Sequence, residues 1–410
     1  MTTQRIPLVG RRYMLPFVLI TSLFFLWGFA HAILDVLNKH FQELLDITKT
    51  HSALIQATMY MGYFVTALPA GLFITRYGYR RGVVTGLLLY GVGALLFIPG
   101  QSLVSFNLFL GALFVIGCGL TFLETAANPY ATELGDRRTA ASRLNFAQSF
   151  NGLGCICAPL VAGLLLFPKG EQGGDGNVAL PYACMGVVVL LVAVVFSRVR
   201  LPEIREAAEA PTGAAAGHGL WSHASFRFGL LALFAYEVAE ISINSFFINY
   251  VVEQQWMDPR RAALSLSFGG LTLFMCGRFA GSWVMSRVRA ERVLFVCATG
   301  TVVTTLLVLL NVGWVSFAAL ICGYAFEAIM FPTIFALSLR GLGRHTKRAS
   351  SFLMMTPVGG VVGPLLMGLV ADHGGMVWAF VVPLAGYLVV WSYARRSLRY
   401  QAGSSPNSSL

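Results

Sequence analysis

The sequence predicts an all-α membrane protein of twelve transmembrane helices, built as two six-helix bundles. Three observations carry this reading: a composition too apolar for a water-facing surface, twelve apolar runs of membrane-spanning length, and a set of residues that recurs at one offset. Of 410 residues, 56% are hydrophobic and only 11% charged, with a mean hydropathy of +0.70. Soluble domains carry about 25% charged residues. With half of that, much of the surface must face lipid.

A bilayer core of about 30 Å asks for roughly 20 apolar residues per helix. Runs of that kind lie at 15–37, 52–75, 83–99, 104–131, 143–167, 180–197, 228–252, 263–286, 292–311, 314–340, 350–371 and 376–394. The third, sixth and twelfth are short. The basic stretch Met1 to Tyr13 leads into a run with no small-residue cleavage site after it, which reads as a retained helix.

Twelve spans put both termini on one side, and the basic residues choose that side. With the termini in the cytoplasm, 23 Lys and Arg fall in cytoplasmic segments, against five in the opposite loops (Lys39, Lys49, Lys169, Arg260, Arg261), and Arg278 lies within a span. This is the positive-inside pattern of a multi-pass protein of the cytoplasmic (inner) membrane with both termini cytoplasmic. The net charge of +11 is spread in short clusters between apolar runs, which is not a phosphate-binding face. The partners expected are lipid and a small solute, not nucleic acid, with the chain a monomer.

The segment from Arg198 to Arg227, rich in Ala, Gly, Pro and charge, is the one long cytoplasmic connection. It divides the chain into an N-terminal bundle at 1–197, a linker at 198–227, and a C-terminal bundle with its tail at 228–410. The halves echo each other. Glu124 precedes Pro129 by five residues, as Glu327 precedes Pro332, and Arg143, Gly154, Pro159 and Gly163 recur as Arg348, Gly359, Pro364 and Gly368, offset by 205. Parallel six-helix repeats of this kind are the plan of the major facilitator superfamily. The stretch Gly71 to Arg81 resembles that superfamily's signature loop after its second helix. Thr75 stands where an Asp is usual, so a salt-bridge latch through that position is not expected.

Ionisable groups inside spans mark pathways or relays. Six qualify: Asp35, Glu124, Glu237, Glu240, Arg278 and Glu327. Five acids against one base leave some of them protonated or cation-bound, and burial lets a carboxyl load and release a proton. The same acids would serve sodium. Arg278, Glu237 and Glu327 are possible charge partners; Glu124 with Arg278 would make a structural ion pair. On the first span Trp27, His31 and Asp35 recur every four residues and share a face. An indole, an imidazole and a carboxylate suit a sugar, by stacking on its CH face and bonding its hydroxyls; packing roles for Trp27 and His31 are the alternative. Asn145, Gln148 and Asn151 form an amide stripe on the fifth span, for sugar hydroxyls or for interhelical bonding. Glu237, Glu240 and Asn244 share a face of the seventh.

The seven cysteines lie in apolar runs, with no disulfide framework or metal spacing. No Walker loop and no Ser/His/Asp arrangement is recognisable. An enzyme and a cofactor are not expected; the energy comes from an ion gradient or from the solute's own.

The stretch Leu123-Glu124-Thr125-Ala126-Ala127-Asn128-Pro129, with Arg143 to Asn151 downstream, resembles the fucose:proton symporter family, and its glucose/galactose branch above all. The resemblance extends through Leu23 to Ala30, Tyr60 to Phe64, Gly277 to Gly281, Phe331 to Phe335 and Ser350 to Phe352. It implies the major facilitator fold and import of a hexose such as glucose or galactose, coupled to protons or alternatively to sodium. It also implies that Asp35 and Glu124 are tied to proton coupling, and that Gln148, Asn151, Phe274 and Phe331 line the sugar cavity. Glu240 joins the coupling candidates, and His31, Trp27 and Asn244 the substrate-binding ones. The fucose-type pattern has amides where this chain has His31 and Ala32, and Gln in place of Glu240. Relatives often have an uncharged polar residue at Glu327. A carrier or exporter of another small solute would share the fold.

Overall fold

Among the described residues every regular element is helical, as a lipid-embedded backbone requires when each N–H and C=O must be satisfied internally. The computed structural model describes residues 8–44, 49–103, 105–166, 179–199 and 219–402. Within these run twelve helical segments. They are α1 (Met14–Leu44), α2 (Lys49–Tyr77), α3 (Tyr79–Ser102), α4 (Phe106–Glu133), α5 (Ala140–Leu166) and α6 (Ala179–Arg198), then α7 (Ala224–Glu253), α8 (259–285), α9 (Ala290–Leu309), α10 (Trp314–Leu339), α11 (Thr346–Gly374) and α12 (376–402). Among the described residues, ten helices are long and apolar enough to cross a membrane by length and composition. The Asp35 side chain and most of the 198–227 connection lie outside the described residues.

Of the three runs that look short in sequence, the third and twelfth form longer helices because polar and glycine-bearing ends extend them, and the sixth forms a helix of 20 residues. α3 starts at Tyr79, directly after Gly78, whose φ of 87° turns the chain out of α2. Leu96 interrupts α3 one turn before Pro99, which has no N–H to give the carbonyl of Leu95.

Two further prolines shape the interior. Pro129 of α4 leaves the carbonyl of Thr125 without its helical donor, and Pro332 does the same to Ala328 in α10. Both carbonyls find a donor elsewhere. Ser350 Oγ of α11 donates to the Thr125 oxygen at 3.2 Å, and Arg278 Nε of α8 donates to the Ala328 oxygen at 3.2 Å. α10 breaks at this point, running from Trp314 to Glu327 and resuming at Met330. α8 has a π-helical turn over Ser265–Leu271, one helical turn ahead of Phe274; such turns shift the phase of the residues that follow.

The first six helices pack on one another, α1 against α5, α2 and α3 against α4, and α3 against α6. The last six repeat the plan, with α7 against α11 and α12, and α9 against α10 and α12. The sequence offset of 205 has a direct structural counterpart. A Cβ at Gly154 would stand 2.2 Å from the Phe25 carbonyl oxygen, and one at Gly359 would stand 2.9 Å from that of Phe234. The glycines therefore seat α5 on α1 and α11 on α7, backbone against backbone. The repeat is not complete. Arg143 is fully buried, donating to the carbonyls of Ala131, Thr132 and Asp136 at the end of α4, whereas Arg348 is exposed. The Arg143 cation rests on the negative end of a helix dipole.

The two sets of six meet through α5 with α8 and α10, and through α2 and α4 with α11. Among the described residues, the hydrogen bonds between them lie from mid-depth to the end that bears the chain termini. Ser142 and Ser282 exchange hydroxyl-to-carbonyl bonds of 2.6 and 2.9 Å. Asn145 donates to Thr333 at 3.1 Å, and Asn128 to the Met354 sulfur at 3.5 Å. The Lys347 ammonium lies 5.2 Å from the centre of the Tyr79 ring. At the signature loop, Thr75 turns its hydroxyl back onto the Gly71 carbonyl of its own helix at 2.8 Å. Gly71 makes the contact across: a Cβ there would lie 1.5 Å from Ser351 Oγ and 2.7 Å from its Cβ.

Gly71→Ala is therefore expected to wedge α2 from α11 and lower the unfolding temperature, overpacking costing about 1–3 kcal/mol. Ser351→Gly in the same chain is expected to restore most of the loss. Thermal unfolding followed by tryptophan fluorescence checks both.

Candidate functional site

The polar residues at mid-depth form two groups, one within the N-terminal bundle and one that spans the seam between the bundles. The first lies on α1, α2 and α4. Trp27 and His31 stack edge to face, with ring centres 5.7 Å apart and planes at 86°, as their four-residue spacing on one helix face allows. His31 Nε2 lies 3.3 Å from the Tyr63 hydroxyl, and that hydroxyl donates to Glu124 Oε1. Tyr63 and Glu124 are buried, at 2% and 3% exposure, while Trp27 and His31 are only partly so. The phenol gives Glu124 one charge-assisted bond when the acid is ionised. The imidazole beyond it donates to or accepts from the phenol according to its tautomer.

The second group centres on Arg278 of α8. Its guanidinium donates to the Gln148 carbonyl at 3.1 Å, to Gln148 Oε1 at 3.4 Å and to Asn151 Oδ1 at 3.3 Å, as well as to Ala328. It lies 4.4 Å from the centre of the Phe274 ring. Gln148 in turn donates to Asn128 Oδ1 at 3.2 Å. Among the described residues Arg278 sits on neutral oxygens and on an aromatic face, and the structure does not bring it into an ion pair with Glu124. A planar fork of donors suits such a spread of acceptors better than an ammonium would.

The amide stripe divides in two. Asn145 bonds the Ala141 carbonyl and Thr333 and is fully buried in the seam. Gln148 and Asn151 hold the guanidinium, with Asn151 partly exposed. On α7, Glu237 is buried against α11, where a Cβ on Gly359 would lie 3.0 Å from its own Cβ. Glu240, one turn on, is partly exposed, and both acids are in electrostatic reach of Arg278. Glu237 is also in reach of Glu124 on the other side of the seam. Asn244 accepts from Tyr324 at 2.8 Å. Phe331 is 6% exposed and lies beside Phe335 and Tyr236, with ring centres 6.2 and 6.5 Å away.

Glu327 is placed differently from its counterpart Glu124. It is 1% exposed and its Oε2 accepts from Tyr387 of α12, so it faces the interior of the C-terminal bundle. The site also includes residues that the reading of candidates passed over. Tyr63 joins His31 to Glu124, and Asn128 carries Gln148. A signal for each was present: Tyr60, Tyr63 and Thr66 recur every three residues on an apolar helix, and Asn128 follows Glu124 by four.

Comparison with known proteins places this geometry. Residues 15–356 match the sequence model of the Major Facilitator Superfamily. The chain is 35% identical to the glucose/galactose transporter of Brucella abortus (strain 9-941) over 387 residues, covering 91% of this chain and 92% of that one. It is 35% identical to the L-fucose-proton symporter of Escherichia coli (strain K12), covering 94% of each. Among solved structures, the E. coli fucose:proton symporter superposes with a TM-score of 0.84 at 34% identity, over 94% of this chain and 99% of that one. A second structure of a fucose transporter, described as in the outward conformation, matches equally well. With a family match over most of its length, two relatives above 30% identity and the same helical plan, the chain belongs to the Major Facilitator Superfamily.

Proposed function

We propose that the chain is a proton-coupled sugar symporter of the cytoplasmic membrane, importing a hexose such as glucose, galactose or a related sugar by alternating access. The observation that carries this reading is the line from Trp27 and His31 through Tyr63 to Glu124, a buried acid tied by one tyrosine to a surface suited to a sugar. Relatives described as a fucose–proton symporter and as glucose/galactose transporters, alike over nine-tenths of the chain, support it. Both termini are cytoplasmic in this reading, as the excess of Lys and Arg on their side supports.

The sugar sits in the seam between two bundles, residues 1–197 and 228–410, joined by the linker at 198–227. Trp27 and Phe274 supply apolar faces, while Gln148, Asn151 and Asn244 supply amides that both donate and accept. Arg278 holds two of those amides, and sugar binding exchanges its bonds for bonds to sugar hydroxyls. Seam contacts concentrated toward the terminus end correspond to the outward-facing state, closed toward the cytoplasm. Loading of Glu124 removes a charge from the seam, and the bundles then rock about the occupied midplane. Asp35 and Glu240 are the other acids proposed to take part.

The direct test is uptake of labelled glucose, galactose and fucose into proteoliposomes under separate proton and sodium gradients. Accumulation driven by the proton gradient is the expected outcome, and no accumulation of any sugar under either gradient would sink the reading. Glu124→Gln is expected to abolish gradient-driven accumulation; unchanged accumulation of every sugar in that variant would remove Glu124 from coupling. Gln148→Ala is expected to raise the half-saturating sugar concentration roughly tenfold, the equivalent of about 1.4 kcal/mol, as initial rates across a concentration series would report. Tyr63→Phe keeps the ring and cuts the link between His31 and Glu124. The pH profile of uptake is expected to move in this variant, and an unmoved profile would assign Tyr63 to packing alone.

A further inference from the structure

The C-terminal bundle contains a small chamber that the transport reading does not use. It lies among α7, α9, α10 and α12, toward the end opposite the termini, with a volume of about 10 Å³. That is the room taken by about one water-sized sphere. Its polar lining is Glu327, Tyr324, Tyr387, Thr301, Thr304 and Thr305.

The hydrogens of these groups are already spent. Tyr387 donates to Glu327 Oε2, and Tyr324 donates to Asn244 Oδ1 at 2.8 Å. Thr301 donates to the Ala298 carbonyl, and Thr304 and Thr305 both donate to that of Thr301, at 3.0, 3.1 and 2.7 Å. What remains for the chamber is lone pairs. The strongest acceptor among them, Glu327 Oε1, is buried and has no partner among the described residues. A buried carboxylate oxygen left in this way is costly unless something neutralises it. A water molecule would donate to it and to one hydroxyl oxygen, but would leave the charge of the acid uncompensated. A proton on the acid would also neutralise it, but could be shared with only one of the oxygens around the chamber.

We propose that this chamber is a binding site for one small monovalent cation, with sodium as the ion whose size and preference for oxygen ligands fit it. Glu327 Oε1 supplies the neutralising charge, and the hydroxyl oxygens of Thr301, Thr304, Thr305 and Tyr324 supply neutral ligands. The site is separate from the Tyr63–Glu124 pair, and it does not depend on the solute being a sugar.

The test uses the purified full-length protein in detergent, unfolded thermally in sodium chloride against potassium or choline chloride at equal ionic strength. A saturable rise in unfolding temperature specific to sodium is expected, since a ligand that binds only the folded state stabilises it by mass action. Glu327→Gln is expected to lose that rise, and Glu124→Gln to keep it. Thr304→Val, which preserves shape and removes one oxygen, is expected to shift the half-saturating sodium concentration several-fold upward and keeps the test informative where Glu327→Gln unfolds. The proposal is overturned by the absence of any sodium-specific rise in the unsubstituted protein, by a rise that survives Glu327→Gln, or by a Thr304→Val titration identical to that of the unsubstituted chain.

Discussion

In hydrocarbon a backbone carbonyl without a donor has no water to turn to, and Pro129 and Pro332 each create one at matching places in the two halves. How those two oxygens are satisfied organises the centre of the molecule. The Thr125 carbonyl is reached by Ser350 from the opposite bundle, so the repair of a helix in one half is also a contact between halves. The Ala328 carbonyl is reached by Arg278 from within its own half. That bond anchors one edge of the guanidinium and leaves its remaining donors to extend to Gln148 and Asn151. One proline thus fixes a seam contact, and the other fixes the cation that meets the amides.

The same duplication produced two buried acids with different surroundings. Glu124 and Glu327 occupy equivalent places before their prolines, and each accepts from a tyrosine, yet the tyrosines come from non-equivalent helices. Tyr63 lies on α2, which borders the seam, and Tyr387 on α12, which packs against α7 and α9 away from it. The sequence places both acids at one repeat position and gives no information on direction. Direction is set by where a partner hydroxyl waits, and that is a property of packing between helices distant in sequence.

Much of the architecture was legible beforehand because membrane helices announce themselves by length and apolarity. The runs at 104–131 and 228–252 lie close to α4 and α7 as folded. The 205-residue offset read from Gly154 and Gly359 reappears as two equivalent backbone contacts. Helix ends were less legible, since polar first and last turns such as Tyr79–Arg81 fall outside an apolar window. The interruptions in α8 and α10 were not legible, as a π-turn leaves no simple mark in composition and a proline does not say which element will serve its orphaned carbonyl. In the site, spacing on one helix face correctly associated Trp27 with His31. It could not separate Asn145, locked in the seam by Thr333, from Gln148 and Asn151, because the three differ only in what the opposite bundle brings to them.

The glycine joints have a mechanical meaning. Where Gly154 of α5 meets Phe25 of α1 and Gly359 of α11 meets Phe234 of α7, main chain rests on main chain, and at these points no side chain lies between to bend or change rotamer. Each pair of helices is in effect one stiff strut. The seam between the bundles is joined instead by hydroxyls, side-chain amides, a methionine sulfur and the Arg278 guanidinium, bonds that break one at a time and re-form with small displacements. Compliance in this protein is thus concentrated in the thin seam, and the helix pairs on either side of it transmit force without absorbing it.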